Sequence, residues 1–292
     1  MDNFLNQYLA FLSVEKNCSP LTTNDYRLEL EKFSEYIITK TTDLNELSIT
    51  LIRSYIQAIK EERNLSNTSI YKKIAILKSY FNFLEDEEII EKNPTKRIHF
   101  PRKERQIPKV LTHQEFEWLI KCLSYSPARC RKNYIRDKLI FHILYYCGLR
   151  RCELLNLDWD DVNLDSKMLF IRSTKNKSDR IMSIHDKVYK LLDKYLEERL
   201  PLTCKALIIG EIDRRLTINP FTVLINMHLT ISGLKKKGYT AHSFRHSFAT
   251  RLIEKKVNLL LVQRLLGHLS LDSTKIYVHF ESENFQNAIN CI

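Results

Sequence analysis

Three short segments of the chain hold side chains whose types and spacing suit phosphoryl transfer. The first runs Cys147-Gly148-Leu149-Arg150-Arg151-Cys152-Glu153-Leu154-Leu155, with Arg150 just after a Gly-Leu break at a helix start. The second, Thr240 to Thr250, carries His242 and Arg245 three residues apart, hence on one helix face. The third runs from Leu265 through Gly267-His268 to Tyr277. Breaking a phosphodiester without a metal requires such a set. Cationic side chains must hold the crowded oxygens of the transition state, and arginine suits this best because its planar fork donates to two neighbouring oxygens. A nucleophile, a base and an acid for the leaving oxygen complete the set. Singly, each segment also has an ordinary reading. Arg150 alone is a surface arginine capping a turn, His242 to Thr250 is an amphipathic helix with Phe244 and Phe248 in the core, and Tyr277 is one of fourteen tyrosines.

The elements that must position these groups follow from the spacing of apolar residues. Phe4, Leu5, Tyr8, Leu9 and Leu12 recur at helical intervals. So do Tyr26, Leu30, Phe33 and Ile37, after a Ser19-Pro20 start signal. Ile52, Tyr55, Ile56 and Ile59 form a third stripe, and Ile70, Ile74, Leu77, Phe81 and Leu84 a fourth. Four such helices make a small bundle, predicted over residues 1–93. Residues 94–108 contain three prolines with Lys96, Arg97, Arg102, Lys103 and Arg105. Proline breaks helices and charge resists burial, so this stretch reads as a linker. A solvated tether and a basic strap along phosphates fit it equally. The second domain, 109–292, opens on Thr112-His113-Gln114-Glu115, a capping-box pattern. It is helical to about Leu157, reads as strand, turn and strand from Lys167 to Ile184, and is helical again from Asp186. The turn carries Lys175 and Lys177. The expected fold is therefore mainly α, a four-helix domain followed by a mostly helical one with a small antiparallel hairpin.

Composition narrows the function classes. Lysine and arginine total 46 against 35 acidic residues, a formal net charge of +11, which marks a candidate binder of polyanions. Hydrophobic residues make up 44%, enough for a sizeable core. No apolar run reaches the length of a membrane span, and the stretch Met1 to Leu12 has no signal-peptide pattern, so a cytoplasmic location is expected. The seven cysteines include no C-x-x-C pair, which fits reduced, buried thiols. None of the nine histidines has a metal-ligand spacing, and five glycines leave no phosphate loop. Neither a metal nor a nucleotide cofactor is expected.

In this order, the segments resemble the signature boxes of the tyrosine recombinase or phage integrase family, and more narrowly its compact Xer-type branch. Gly148 to Leu154, His242 to Thr250 and Leu266 to Tyr277 match three boxes, and Thr174 to Arg180 falls on the box of the hairpin lysine. The N-terminal half is similar to the family's SAM-like core-binding domain, through Ser19-Pro20-Leu21-Thr22, Ser69-Ile70-Tyr71, Asn93-Pro94 and Ile107 to Thr112. Ala241 replaces a frequent proline, and Thr174, Asn176 and Lys255-Lys256 stand where glycine is common, but no catalytic side chain is lost.

The resemblance implies a mechanism. Tyr277 attacks the scissile phosphorus and leaves a 3′-phosphotyrosyl strand and a free 5′-hydroxyl. Arg150 and Arg245 clamp the nonbridging oxygens, His268 donates to them, and His242 helps take the tyrosine proton. Lys175 is the acid for the 5′-oxygen, with Lys177 as its neighbour in the turn, and Glu153 orients Arg150. It also implies double-stranded DNA with paired half-sites as partner. The implied assembly is a tetramer, of one chain or with a paralogue, closed by a tail at about 280–292. Chromosome dimer resolution and mobile-element integration or excision both fit. Lys72, Lys73, Lys78, Arg97, Arg102 and Lys103 are candidate DNA contacts. Two rivals remain: a type IB topoisomerase relaxing supercoils by the same chemistry, and a non-catalytic DNA-binding relative.

Overall fold

The computed structural model describes residues 2–41, 46–102, 108–125, 133–172, 179–210 and 213–267. The chain divides into two compact units, Met1–Gln106 and Ile107–Ile292.

The first unit is built of α1 (Asp2–Val14), α2 (Pro20–Ile38), α3 (Ile49–Arg63) and α4 (Asn67–Asp86). Serine starts the last three. Ser19, Ser48 and Ser66 accept from the backbone N–H of Thr22, Leu51 and Ser69, satisfying donors that a first turn leaves open. The apolar stripes meet in one core, in which Tyr8, Phe33, Ile52 and Phe81 are fully enclosed. The Tyr8 hydroxyl keeps a partner, donating to Ser79 Oγ at 2.7 Å. The stretch after α4 is held on the bundle at its start. Asn93 Oδ1 accepts from both the N–H and the hydroxyl of Thr95, Thr95 and Ile98 are buried, and Phe100 stacks on Tyr71 with ring centroids 4.3 Å apart.

The second unit contains α5 (His113–Leu123), α6 (Tyr134–Tyr146), α7 (Arg151–Asn156), α8 (Asp186–Arg199), α9 (Ile218–Ile231), α10 (Ala241–Glu254) and α11 (Leu259–Leu266). The capping box at Thr112 and Glu115 forms as its sequence pattern predicts. Helix α6 is buried on nearly every side and packs against α8 and α10, as expected of a helix apolar all round. Its polar residues are paired inside: Asp137 accepts from Arg136 at 2.7 Å and meets His228 Nε2 at 3.0 Å. Strands β2 (Met168–Ile171) and β3 (Arg180–Ser183) form the expected antiparallel hairpin, with Ile171 opposite Arg180. A further strand, β1 (Val162–Asn163), pairs with β2 and makes a three-stranded sheet. Two residues are too few to show a period in sequence.

Candidate active site

Three helices converge in the second unit. Arg150 is the N-cap of α7, Arg245 lies in the second turn of α10, and Gly267 ends α11. Gly148 makes the turn into α7 with φ +61°, and its carbonyl accepts from Arg245 Nη1 at 2.7 Å. A Cβ on Gly148 would stand 2.3 Å from the Phe248 ring. Gly148→Ala therefore combines left-handed backbone strain with overpacking, on the order of 3 kcal/mol, which the midpoint of chemical denaturation will show as a loss of stability.

Glu153 is the anchor of the site. It is 2% exposed, and its carboxylate accepts from the Arg150 N–H at 2.8 Å, Arg150 Nη1 at 2.7 Å, and Arg180 Nη1 and Nη2 at 3.0 and 2.9 Å. Burial pushes this carboxyl upward, but hydrogen bonds and charge from Arg180 and then Arg150 outweigh it and bring the pKa down to about 2. Glu153 is thus ionised throughout the neutral range. Arg245 Nη1 lies 3.9 Å from the same carboxylate.

The same three guanidiniums also hold the end of α11. Arg180 Nε donates to the Leu265 carbonyl at 2.8 Å, Arg245 Nη2 to that of Leu266, and Arg150 Nη2 to that of Gly267 at 2.8 Å. The last carbonyls of a helix have no partner within it and carry its negative end, so cations are favoured there. Gly267 adopts φ +61° and immediately precedes His268. Arg245 is enclosed, whereas about a third of the Arg150 side chain, 36%, remains accessible. His242 stands at the start of α10. Loss of hydration and then the charges of Arg245, Arg151 and Arg150 lower its pKa, so the imidazole is neutral at pH 7 and able to accept a proton.

Arg150 and Arg245 are thus drawn to the end of α11 with Glu153 behind them, and the exposed His242 lies within reach of the charges of Arg245, Arg151 and Arg150. Lys175, Lys177, His268, Tyr277 and the tail at 280–292 lie outside the described residues, as does Lys103. Arg180 is not among the residues whose type and spacing suggest chemistry. The only signal for it in the sequence is its place at the end of the lysine box. Among the basic residues of the first unit, Lys72, Arg97 and Arg102 are exposed. Lys78 reaches the Lys96 carbonyl at 3.4 Å and lies over the Phe100 ring. Lys73 is turned inward and its ammonium pairs with the buried Glu29, which leaves it poorly placed for DNA.

A mainly helical catalytic unit with this arginine arrangement and a helical N-terminal unit defines a class, and comparison with known proteins identifies it. The Phage integrase family matches residues 109–284, and the Phage integrase N-terminal SAM-like domain matches residues 5–88. A tyrosine recombinase of Pseudothermotoga lettingae is 32% identical over 99% of this chain and 98% of its own length. Tyrosine recombinase XerD of Oceanobacillus iheyensis is 30% identical over 94% of this chain and 93% of its own. Among solved structures, XerH site-specific recombinase bound to a palindromic difH substrate in a post-cleavage complex superposes with a TM-score of 0.77 at 24% identity, covering 98% of this chain and 83% of that one. A lambda integrase dimer bound to a core site gives 0.74 at 17% identity, covering 95% and 94%. The chain belongs to the phage integrase family of tyrosine recombinases. Within that family it is of the compact Xer type.

Proposed function

We propose that the chain is a site-specific recombinase that binds double-stranded DNA and exchanges strands through a 3′-phosphotyrosyl intermediate on Tyr277. The observation that carries this reading is the convergence of Arg150 and Arg245 on the end of α11, one residue before His268, with Glu153 behind them. Arg150 and Arg245 clamp the nonbridging oxygens, His268 adds a donor, His242 helps remove the tyrosine proton, and Lys175 protonates the leaving 5′-oxygen. Glu153 orients Arg150. The phosphotyrosine preserves the energy of the broken ester for the incoming 5′-hydroxyl, so the cycle requires no nucleotide.

Residues 1–93 and 109–292 embrace the duplex, joined by the basic stretch 94–108. Lys72, Lys78, Arg97, Arg102 and Lys103 supply phosphate contacts. Four protomers assemble on two sites, either as one chain or with a paralogue, through the tail at 280–292. The reaction takes place in the cytoplasm; among the described residues no helix is long and apolar enough to cross a membrane. The test uses a duplex enriched from random DNA for binding to the purified protein. A plasmid carrying two copies should yield deleted or inverted products. A topoisomerase-type activity would instead relax supercoils of a plasmid with one copy and give no rearrangement from two.

A further inference from the structure

We infer that Arg180 is a positioning residue of the active site, fixing Arg150 and the end of α11 in the geometry required for strand cleavage; this rests on the recombinase reading above. Arg180 opens β3, and its side chain is 9% exposed. Nothing in its position on a short strand demands a buried guanidinium. What the guanidinium does is link two elements. Its two Nη atoms grip both oxygens of Glu153, at 3.0 and 2.9 Å, while Nε donates to the Leu265 carbonyl at 2.8 Å. All three nitrogens of the guanidinium are thus engaged.

The consequence falls on Arg150. That side chain is also held between Glu153 and α11, through Nη1 and Nη2. Arg180 therefore braces both supports of Arg150. Without it, the hydrogen bonds to the Glu153 carboxylate that remain among the described residues come from Arg150, with Arg245 a charge contact at 3.9 Å. The carboxylate is then free to swing toward Arg245, and the last turn of α11 loses one of the donors that fix it. Gly267 shows how close the fit is, since a Cβ there would stand 2.8 Å from Arg180 Nη1. Lysine has one compact charge and no fork, so it can reach one carboxylate oxygen or the carbonyl, but not all three.

Arg180 acts through Glu153 and the Leu265 carbonyl, so its effect should appear in the rate of chemistry and depend on the charge of the phosphate. The experiment measures covalent adduct formation under single-turnover conditions, on a DNA-selected duplex nicked beside its mapped cleavage position. Two versions of the duplex are used, one with an ordinary scissile phosphate and one with a methylphosphonate, which lacks one anionic oxygen and relies less on the arginine clamp. Arg180→Met should slow adduct formation about 100-fold on the phosphodiester, as expected of a misplaced catalytic group, with DNA affinity within about threefold of the unaltered chain. On the methylphosphonate most of that loss should disappear. Arg180→Lys should recover the rate only in part. Because Arg180→Met leaves a buried carboxylate underpaired, the double variant Glu153→Gln/Arg180→Met, which removes both charges together, guards against misfolding. It should keep a cooperative melting transition and show the same substrate dependence. Equal slowing on both substrates, affinity falling in step with rate, or an unchanged rate would overturn the role of Arg180 while leaving the recombinase reading intact. Absence of any adduct from the unaltered chain would overturn both.

Discussion

Tyr277→Phe is expected to abolish the covalent protein–DNA adduct on a nicked duplex while leaving DNA affinity nearly unchanged. The substitution removes one oxygen, and that oxygen is the atom proposed to attack phosphorus. A phenol with a pKa near 10 is a weak nucleophile at neutral pH, so it has to be delivered to a place of high positive charge with a base at hand. The neutral imidazole of His242 beside Arg245, Arg151 and Arg150 provides such a place. Affinity is expected to come chiefly from phosphate contacts spread over both units, so one hydroxyl contributes little to it. Denaturing electrophoresis after incubation with end-labelled duplex measures the adduct, and a mobility shift on the same samples measures binding. An adduct that survives the substitution means that another residue is the nucleophile.

Arg245→Ala is expected to lower single-turnover cleavage by about 10²- to 10³-fold, the usual loss when one fixed donor to a transition-state oxyanion is removed. It differs from Arg150→Ala in a second observable. Arg245 is 5% exposed, and it donates to the Gly148 and Leu266 carbonyls. Its removal leaves buried acceptors without their donor, a cost on the order of 3 kcal/mol. Arg150 is more accessible, and its loss should weigh mainly on chemistry. Rates at saturating DNA, set beside thermal unfolding of both variants, separate the two contributions. Arg245→Ala with full cleavage activity removes this residue from the clamp.

Much of this arrangement is legible in the sequence because it rests on local rules. The apolar stripes at Tyr8, Phe33, Ile52 and Phe81 form the core of the first unit, since helical periodicity alone selects the inward face. The capping box at Thr112 depends on a neighbour three residues away, and the hairpin at Lys167 to Ile184 on strands adjacent in the chain. Glu153 sits three residues from Arg150, one helical turn, so their pairing is also local. What escapes the sequence is long-range. Arg180 meets Glu153 across 27 residues and Leu265 across 85, and nothing in its surroundings in the chain marks it as buried. Lys73 lies beside the exposed Lys72 and reads with it as a candidate DNA contact, yet Glu29, 44 residues away, draws it into the bundle. The inward pairing of Asp137 with His228 is hidden likewise, because two elements 91 residues apart must fold before the carboxylate has its partner. The stretch after α4 reads as a linker by its prolines and charges, but at its start the Asn93 side chain and Ile98 tie it to the bundle.

The ring of side chains around Glu153 is electrically lopsided: three permanent cations face a single permanent anion in a setting largely shielded from water. Mutual repulsion among those cations works against the folded chain, and the three carbonyl dipoles ease it. An incoming phosphate offsets it. Engagement of the DNA backbone should therefore toughen the catalytic unit against heat as well as prepare it to cut, so that the protein is sturdiest when it is seated on its substrate.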